Sequence, residues 1–264
     1  MLLNASRFVF KPLALAACTL TVGCAATQGT PNPSDPWEDS NRTIYEFNDG
    51  LDRVVLRPVS EAYAFITPQP IRTCINNVFL NLGEIWSGIN SVLQQRQFDA
   101  INTMGRFLLN TTFGLGGCFD LASANGQPRI PNDFGVTLGV WGFNSGPYVV
   151  LPLLGSSSVR DTFGSVGNLV GNQLNTIGYI PDVGLRNSIW GLEFVARRES
   201  LLQISETVDR TALDPYSFIR DAYLQQRQAK VLGPEAAADA LPNYENYEDV
   251  AADNKALNLP PPPK

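Results

Sequence analysis

The chain has 264 residues, enough for one or two domains, and a formal net charge of −6 at pH 7 with no histidine. The absence of histidine excludes Ser-His-Asp and Cys-His catalysis and histidine-ligated metals. The acidic balance, with no Lys/Arg-rich stretch, argues against nucleic acid as a partner. Outside the first residues lysine occurs only at Lys230, Lys255 and Lys264, which leaves a Ser-Lys dyad almost no place to form. We therefore expect a protein that is not an enzyme and has no cofactor or metal.

Residues 1–23 are predicted to be a lipoprotein signal peptide, because Arg7 and Lys11 precede a short apolar stretch. Two cysteines end candidate cleavage sites. Cys24 follows an apolar region of suitable length and is the favoured lipidation site, whereas Cys18 has the better preceding residues but a short apolar region. An ordinary cleaved secretory signal remains an alternative. Ala25 after the cysteine, in place of Asp, favours sorting to the outer membrane.

Residues 24–34 are predicted to be a flexible linker and residues 35–232 a helical body. Asp35-Pro36-Trp37-Glu38 has the residues of a helix start, with Asp35 as the N-cap, Pro36 first in the helix and Glu38 at the third position. Asn48, Asp49 and Gly50 are expected to weaken or end this helix. Arg57-Pro58 closes the next short segment.

Two amphipathic helices are predicted next, one from Pro70 to Leu93 with a wide apolar face and one from Asp99 to Thr112. The glycines at 114, 116 and 117 fit helix termination and close packing better than a phosphate cradle, because their spacing matches neither nucleotide-binding fingerprint. Cys74 and Cys118 would meet an oxidising compartment after export, which favours a disulfide over two buried thiols. Such a loop of about 45 residues would contribute roughly 4 kcal/mol.

Residues 134–161 form an apolar, glycine-rich stretch that we expect at the packed centre of the body. A turn at residues 144–147 leads to residues 148–151, which Pro152 makes an extended edge or crossing segment. Ser156 to Ser158 then supply a helix start, with Arg160 and Asp161 in its first turn.

Residues 181–208 read as mostly helical, and Asp214-Pro215-Tyr216 opens a last helix that ends before Gly233-Pro234. Residues 233–264 are predicted to be a disordered acidic, proline-rich tail. No helix of the body reaches the ~20 apolar residues of a membrane span. The wide apolar faces either bury one another or lie in a membrane interface, and the sequence alone leaves both possibilities open.

The collected motifs resemble those of the MlaA (VacJ) family of outer-membrane lipoproteins over roughly residues 35–230. The motifs are Asp35-Pro36-x-Glu38-x-x-Asn41-Arg42-x-x-Tyr45-x-Phe47-Asn48, Arg57-Pro58-Val59, Arg106-Phe107-x-x-Asn110-Thr111-Thr112-x-Gly114-x-Gly116-Gly117, Phe134-Gly135-x-Thr137-Leu138-Gly139, Gly146-Pro147-Tyr148-x-x-Leu151-Pro152, Arg160-Asp161 and Asp214-Pro215-Tyr216-x-x-x-Arg220-x-x-Tyr223. Cys74 and Cys118 depart from the pattern, so the resemblance gives them no role.

The resemblance implies an all-α, ring-shaped monotopic membrane lipoprotein with a central amphipathic channel. It would be lipid-anchored on the periplasmic side of the outer membrane. Phospholipids mislocalised in the outer leaflet would pass through the channel to the periplasmic lipid carrier MlaC, which maintains lipid asymmetry, and an outer-membrane porin trimer would be the membrane partner. The lipid-channel candidates are Gly139, Gly142, Asn144, Ser145 and Tyr148, with mere packing of the ring as the alternative. The helix break at Asn48, Asp49 and Gly50 is expected to affect how the ring sits in the leaflet.

Two other functions stay open on sequence grounds. A structural or scaffolding lipoprotein that anchors a periplasmic partner would have a soluble body once its lipid is removed. An envelope lipid hydrolase using paired carboxylates would release fatty acid or head group.

Overall fold

The structure, a computed structural model, describes residues 32–173, 177 and 180–233. The predicted signal peptide with Cys18 and Cys24, most of the linker and the tail after Gly233 lie outside the described residues. The prediction of an all-α fold is confirmed, with one short hairpin added. The elements are α1 (Glu38–Leu51), α2 (Arg57–Ile66), α3 (Gln69–Leu93), α4 (Gln97–Thr112), α5 (Leu121–Ala124), α6 (Phe134–Val140), β1 (Tyr148–Leu151), β2 (Gly155–Ser158), α7 (Val159–Gln173), α8 (Val183–Ser200), α9 (Leu202–Thr211) and α10 (Pro215–Leu232).

The first α-helix includes Asn48, Asp49 and Gly50 and ends at Leu51, one residue beyond the stretch expected to weaken or end it, but the chain stays helical after that point. A π-helical turn, Asp52–Leu56, follows without interruption and leads directly into α2. A single glycine costs a helix only about 1 kcal/mol, which tertiary contacts readily offset. Pro58 has no backbone N–H to donate to the turn before it. A helix can bend or widen where a proline removes such a hydrogen bond.

The start of α1 also differs from the prediction, because Asp35 is not its N-cap. The helix begins at Glu38 after Trp37, which makes no side-chain cap bond. The Asp35 carboxylate is buried instead and accepts hydrogen bonds from the amide of Asn41 at 2.8 Å and the hydroxyl of Tyr216 at 2.6 Å. A carboxylate that far inside needs such partners, and here they tie the chain before α1 to α10.

Two asparagines seven residues apart on α1 hold the hairpin. The side-chain amide of Asn41 donates to the carbonyl of Tyr148 at 3.0 Å, and its oxygen accepts from the backbone N–H of Val150 at 2.9 Å. Asn48 repeats this pattern at the end of β1, donating to Leu151 and accepting from Leu153. An edge strand leaves every second backbone group unpaired, and these side chains satisfy them. The antiparallel register places Tyr148 opposite Ser158.

Helices α6 and α7 cross at two glycines. A Cβ on Gly164 would lie 2.5 Å from Cα of Gly135, so neither side of this crossing has room for a side chain. A disulfide joins Cys74 of α3 to Cys118 beyond α4, with the two Cα atoms 4.2 Å apart. The fold is therefore fastened at two places where backbone segments come close.

Burial is inverted relative to an ordinary globular domain. Within the described ranges, twenty polar or charged residues are buried but only seven apolar ones, while thirty-five large apolar side chains are exposed. The apolar core cluster is small, consisting of Tyr148, Val150 and Tyr216 with four partly buried neighbours. Water-soluble domains bury their apolar side chains, so this exterior is suited to a medium less polar than water. In the part of the chain that the structure describes, no helix has the length and apolar character needed to cross a bilayer.

Candidate functional site

A cavity of about 590 Å³ lies between the loop after α6, the start of α7 and the last turns of α10. Its volume is within the range of small-molecule sites. Four of the five predicted channel residues line it: Gly139, Gly142, Asn144 and Ser145. The apolar part of its wall consists of Phe143, Leu224, Val231 and Leu232, and the polar part includes Arg160, Arg227 and Gln228.

Tyr148, the fifth channel candidate, does not line the cavity. Its side chain is fully buried, its hydroxyl is 2.8 Å from Oγ of Ser156, and its ring packs edge-on against Tyr216 and Tyr223. Alternation along β1 turns Tyr148 and Val150 to the core, which no pattern in the preceding glycine-rich loop revealed. The prediction of a channel contact at Tyr148 is therefore corrected to a core position.

Gly139 and Gly142, two of the three glycines that line the cavity, are required for different structural reasons. A Cβ on Gly139 would lie 2.5 Å from Val231 and 2.7 Å from Nη1 of Arg160, so close approach requires glycine there. Gly142 has a φ of +96° and open space around its Cα, so its backbone conformation is the constraint. Any side chain at residue 142 would point into free volume beside the cavity.

A cluster of charges behind the cavity joins α6, α7 and α10. Asp161 accepts hydrogen bonds from Nε of Arg227 at 2.8 Å, from the hydroxyl of Tyr223 at 2.7 Å and from Nε of Arg160 at 3.0 Å. Arg227 also forms a two-pronged ion pair with Asp133. Burial raises the pKa of Asp161, but the hydrogen bonds and charge of Arg227 outweigh it and hold that pKa at about 2. The cluster is therefore ionised at every pH near neutrality.

A second cavity, of about 420 Å³, lies between α1, the hairpin and helices α8 and α9. Asn48 and Asp49 of the expected helix break line it, whereas Gly50 does not. Asp52 and Arg198 form a two-pronged ion pair at its edge, with both donor–acceptor distances 2.6 Å. The break residues thus lie beside a cavity although the helix itself continues.

The buried face of α3 is polar, which the prediction of a wide apolar face missed. Glu84 is 1% exposed and pairs with Arg106 and Arg129, each at 3.2 Å. Burial raises the pKa of Glu84, and the two arginines act against that shift. The sequence does indicate this polar face, because polar residues recur along α3 at intervals of three and four residues: Asn81, Glu84, Ser87, Asn90 and Ser91.

Asp161, Asp133 and Glu84 are each paired with arginine. Among residues 32–173, 177 and 180–233, no group of three or more His, Cys, Asp or Glu side chains could hold a metal ion.

Comparison with known proteins identifies the family. The profile of the family described as MlaA lipoprotein matches residues 33–230. The proteins named "Intermembrane phospholipid transport system lipoprotein MlaA" from Shigella flexneri and Escherichia coli (strain K12) are each 37% identical over 238 residues. Each alignment covers 88% of this chain and 92% of the relative. The protein of the same name from Haemophilus influenzae is 35% identical over 232 residues, covering 82% of this chain and 88% of its own length.

A solved structure, described as "Structural basis for maintenance of bacterial outer membrane lipid asymmetry", has the same fold. It superposes with a TM-score of 0.63 at 35% identity and covers 75% of this chain and 99% of its own. Residues 33–230, which the family profile matches, contain every helix described above except the end of α10. The chain belongs to the MlaA lipoprotein family.

Proposed function

We propose that this chain is the outer-membrane lipoprotein component of an intermembrane phospholipid transport system. It removes mislocalised phospholipids from the outer leaflet of the outer membrane and passes them to a periplasmic carrier, which maintains lipid asymmetry. The observation that carries this proposal is the inverted burial, with a polar interior inside an apolar exterior. The names of the relatives support phospholipid as the cargo.

The apolar exterior supports a position within one leaflet. Burying a large apolar side chain is worth about 1.5–3 kcal/mol relative to leaving it in water. Phe65 and Phe98 are 92% and 89% exposed, and they belong to a set of thirty-five such side chains within the described ranges. No described helix can cross the bilayer, so the favourable arrangement lays the helices in the membrane interface. The lipid anchor at Cys24, with Cys18 as the alternative, holds the protein on the periplasmic side.

We propose that the 590 Å³ cavity forms part of the path that the phospholipid follows through the protein. A phospholipid needs a polar surface for its head group and an apolar one for its chains, because an unsolvated charge in hydrocarbon is costly. The cavity offers both, because Arg160 and Arg227 line it together with Phe143, Val231 and Leu232. A ring around this path would keep head groups away from the surrounding acyl chains.

The seating of the ring is proposed to depend on the register between α1 and the π-helical turn. Deleting Gly50 would rotate every residue after it by about 100° and shift it by about 1.5 Å along the helix. The two asparagines that hold the hairpin precede the deletion, so they would keep their bonds while α2 turned its apolar face away. We expect such a deletion to raise outer-leaflet phospholipid without unfolding the hairpin.

The partners are proposed from the family resemblance. A soluble periplasmic carrier of the MlaC type would receive the lipid, and an outer-membrane porin trimer would surround or flank the ring. Transport of this kind needs no covalent chemistry by the lipoprotein, which suits a chain without histidine.

The decisive experiment is complementation of a strain that lacks its MlaA-type lipoprotein. This chain should lower surface-exposed phospholipid, measured by labelling of outer-leaflet amino lipids. Gly142→Glu should fail, because it places a charge beside the cavity. Gly126→Glu is the matched control, since Gly126 also has a positive φ and open surroundings but lies outside the cavity. Equal rescue by both variants would show that the cavity is not part of the lipid path. Release of fatty acid from phospholipid by the wild-type protein would favour a hydrolase.

A further inference from the structure

We propose that Arg160 receives the phosphate of the transported phospholipid, an assignment that rests on the function proposed above. Arg160 is 8% exposed and lies in the wall of the 590 Å³ cavity. Its role would be to position the head group by a charge-assisted, two-pronged contact, the geometry in which a guanidinium recognises phosphate.

Fewer guanidinium nitrogens of Arg160 form hydrogen bonds than in the other buried arginines, Arg106, Arg220 and Arg227. The Nε of Arg160 donates to Asp161 at 3.0 Å, but neither Nη1 nor Nη2 donates to any residue that the structure describes. Every guanidinium nitrogen of Arg227 has an acceptor, and so has every one of Arg106. Two guanidinium nitrogens without a described acceptor, on a residue in the wall of a cavity, are available to an anion that enters it.

The surroundings of these two nitrogens are kept open by glycine. A Cβ on Gly139 would lie 2.7 Å from Nη1, so any other residue would fill the approach to the guanidinium. Asn144, Ser145 and Gln228 also line the cavity, and their side chains form no hydrogen bond to another described residue. An oxyanion entering here would therefore meet one charged donor and several neutral ones.

The chemistry of the site favours a lipid phosphate over a free one. Asp161 binds the Nε edge of the guanidinium, so the opposite edge is the one available to an anion. Phe143, Val231 and Leu232 stand beside it and offer nothing to inorganic phosphate, but they can cover the glycerol and upper acyl chains of a phospholipid. The site combines one anion contact with an apolar wall, which is the pattern of an amphipathic ligand.

The test is ligand binding by the full-length lipoprotein in detergent micelles. The probes are a short-chain phosphatidylglycerol, the diacylglycerol with the same chains and inorganic phosphate. Arg160→Gln should weaken phosphatidylglycerol binding at least tenfold and leave diacylglycerol binding unchanged. Arg160→Lys, which keeps the charge but loses the fork, should give an intermediate loss. Unchanged phosphatidylglycerol affinity in Arg160→Gln would overturn the assignment, and so would tighter binding of inorganic phosphate than of lipid.

Arg160→Gln also removes a contact to Asp161, so a loss of folding would look like a loss of binding. A second variant separates the two. Asn144→Asp adds a carboxylate at an exposed position of the same cavity and should weaken phosphatidylglycerol binding several-fold by repulsion. Asn187→Asp, at an exposed position of α8 outside the cavity, is its control and should bind as the wild type does. Equal affinities for the two aspartate variants would count against the site.

The proposed function and the Arg160 assignment can fail separately. A wild-type chain that binds no phospholipid and leaves surface phospholipid high would remove the function. A wild-type chain that restores asymmetry while Arg160→Gln binds phosphatidylglycerol normally would remove only the Arg160 assignment.

Discussion

Asp161 shows how single residues connect this fold. Its carboxylate accepts from three side chains of two helices, and it follows directly the arginine that we assign to the phosphate. The Arg160-Asp161 pair was singled out in the sequence as a helix start, which the structure bears out, since Asp161 lies in the first turn of α7. Its bonds to α10 could not be predicted, because nothing local encodes which distant arginine a carboxylate meets.

Asp161→Asn should destabilise the protein strongly. The substitution leaves Arg227 with one carboxylate instead of two and turns a buried acceptor into a partial donor, and breaking a buried ion pair costs about 3–5 kcal/mol. Denaturant unfolding in detergent would measure the loss. Asp221→Asn is the control, because Asp221 is about half exposed and its partner Arg220 also pairs with Asp35. Its change should stay within about 0.5 kcal/mol. Equal effects of the two variants would contradict the central role of Asp161.

The same carboxylate predicts how stability depends on pH. The pKa of Asp161 is lowered from 3.8 to about 2 on folding. A lowered folded pKa stabilises the native state above the unfolded pKa, and this stabilisation is lost as the pH falls through the folded value. The difference in unfolding free energy between wild type and Asp161→Asn should thus be constant above about pH 5 and shrink toward pH 2. A difference that does not change with pH over this range would show that lost packing, not charge, explains the variant.

At the scale of elements, the crossing of α6 and α7 requires glycine, whereas Gly105 of α4 has open space around it. Gly164→Ala would force the two backbones apart, since its Cβ would lie 2.5 Å from Gly135, and such overpacking costs about 1–3 kcal/mol or more. Gly105→Ala in α4 meets nothing within 4 Å and should stabilise the helix by up to about 1 kcal/mol. Thermal unfolding of both variants gives the comparison. A stabilised Gly164→Ala would mean that the helices are further apart than described.

The disulfide yields a prediction that needs no knowledge of function. Cys74 and Cys118 are 44 residues apart, so closing this loop should contribute about 4 kcal/mol. Reductant should lower the melting temperature of the wild type and leave that of the double variant Cys74→Ser/Cys118→Ser unchanged. Non-reducing peptide mapping checks the bond directly, and two free thiols in the exported protein would refute it.

Helix starts were predicted well where neighbouring residues alone determine them. Asp214-Pro215-Tyr216 predicted the start of α10, and Asp214 occupies its N-cap position. The same chemistry failed at Asp35, because the Tyr216 hydroxyl and Asn41 compete for that carboxylate from distant positions. Near Gly50 the α-helix does end, at Leu51, but the chain continues in a π-helical turn, which the local sequence did not predict. Of the five residues predicted to border a lipid channel, Gly139, Gly142, Asn144 and Ser145 line one cavity, whereas Tyr148 does not, because its orientation depends on strand register. That this cavity belongs to a lipid channel stays a prediction.

The inverted burial belongs to the molecule as a whole. An apolar stripe on a helix has the same spacing whether it faces a protein core or acyl chains, so periodicity could not distinguish the two. The distinction lies in the opposite face, where α3 turns Glu84, Asn90 and Ser91 inward. Those residues pair with Arg106, Thr137 and Asn132 from elsewhere in the chain, which only the tertiary structure reveals.

The last prediction concerns the solubility of the whole body. A chain whose residues 1–24 are replaced by a cleavable signal without a lipidation site should still partition into detergent. The reason is that the thirty-five exposed apolar side chains remain when the acyl anchor is gone, and each contributes up to about 3 kcal/mol in an apolar medium. Phase separation in a nonionic detergent measures the partition, with a soluble periplasmic protein behind the same signal as the control. Phe65→Ser/Phe98→Ser should move part of the protein to the aqueous phase, because these side chains are among the most exposed. A monodisperse, water-soluble body without detergent would instead favour a scaffolding lipoprotein, in which the anchor alone provides membrane attachment.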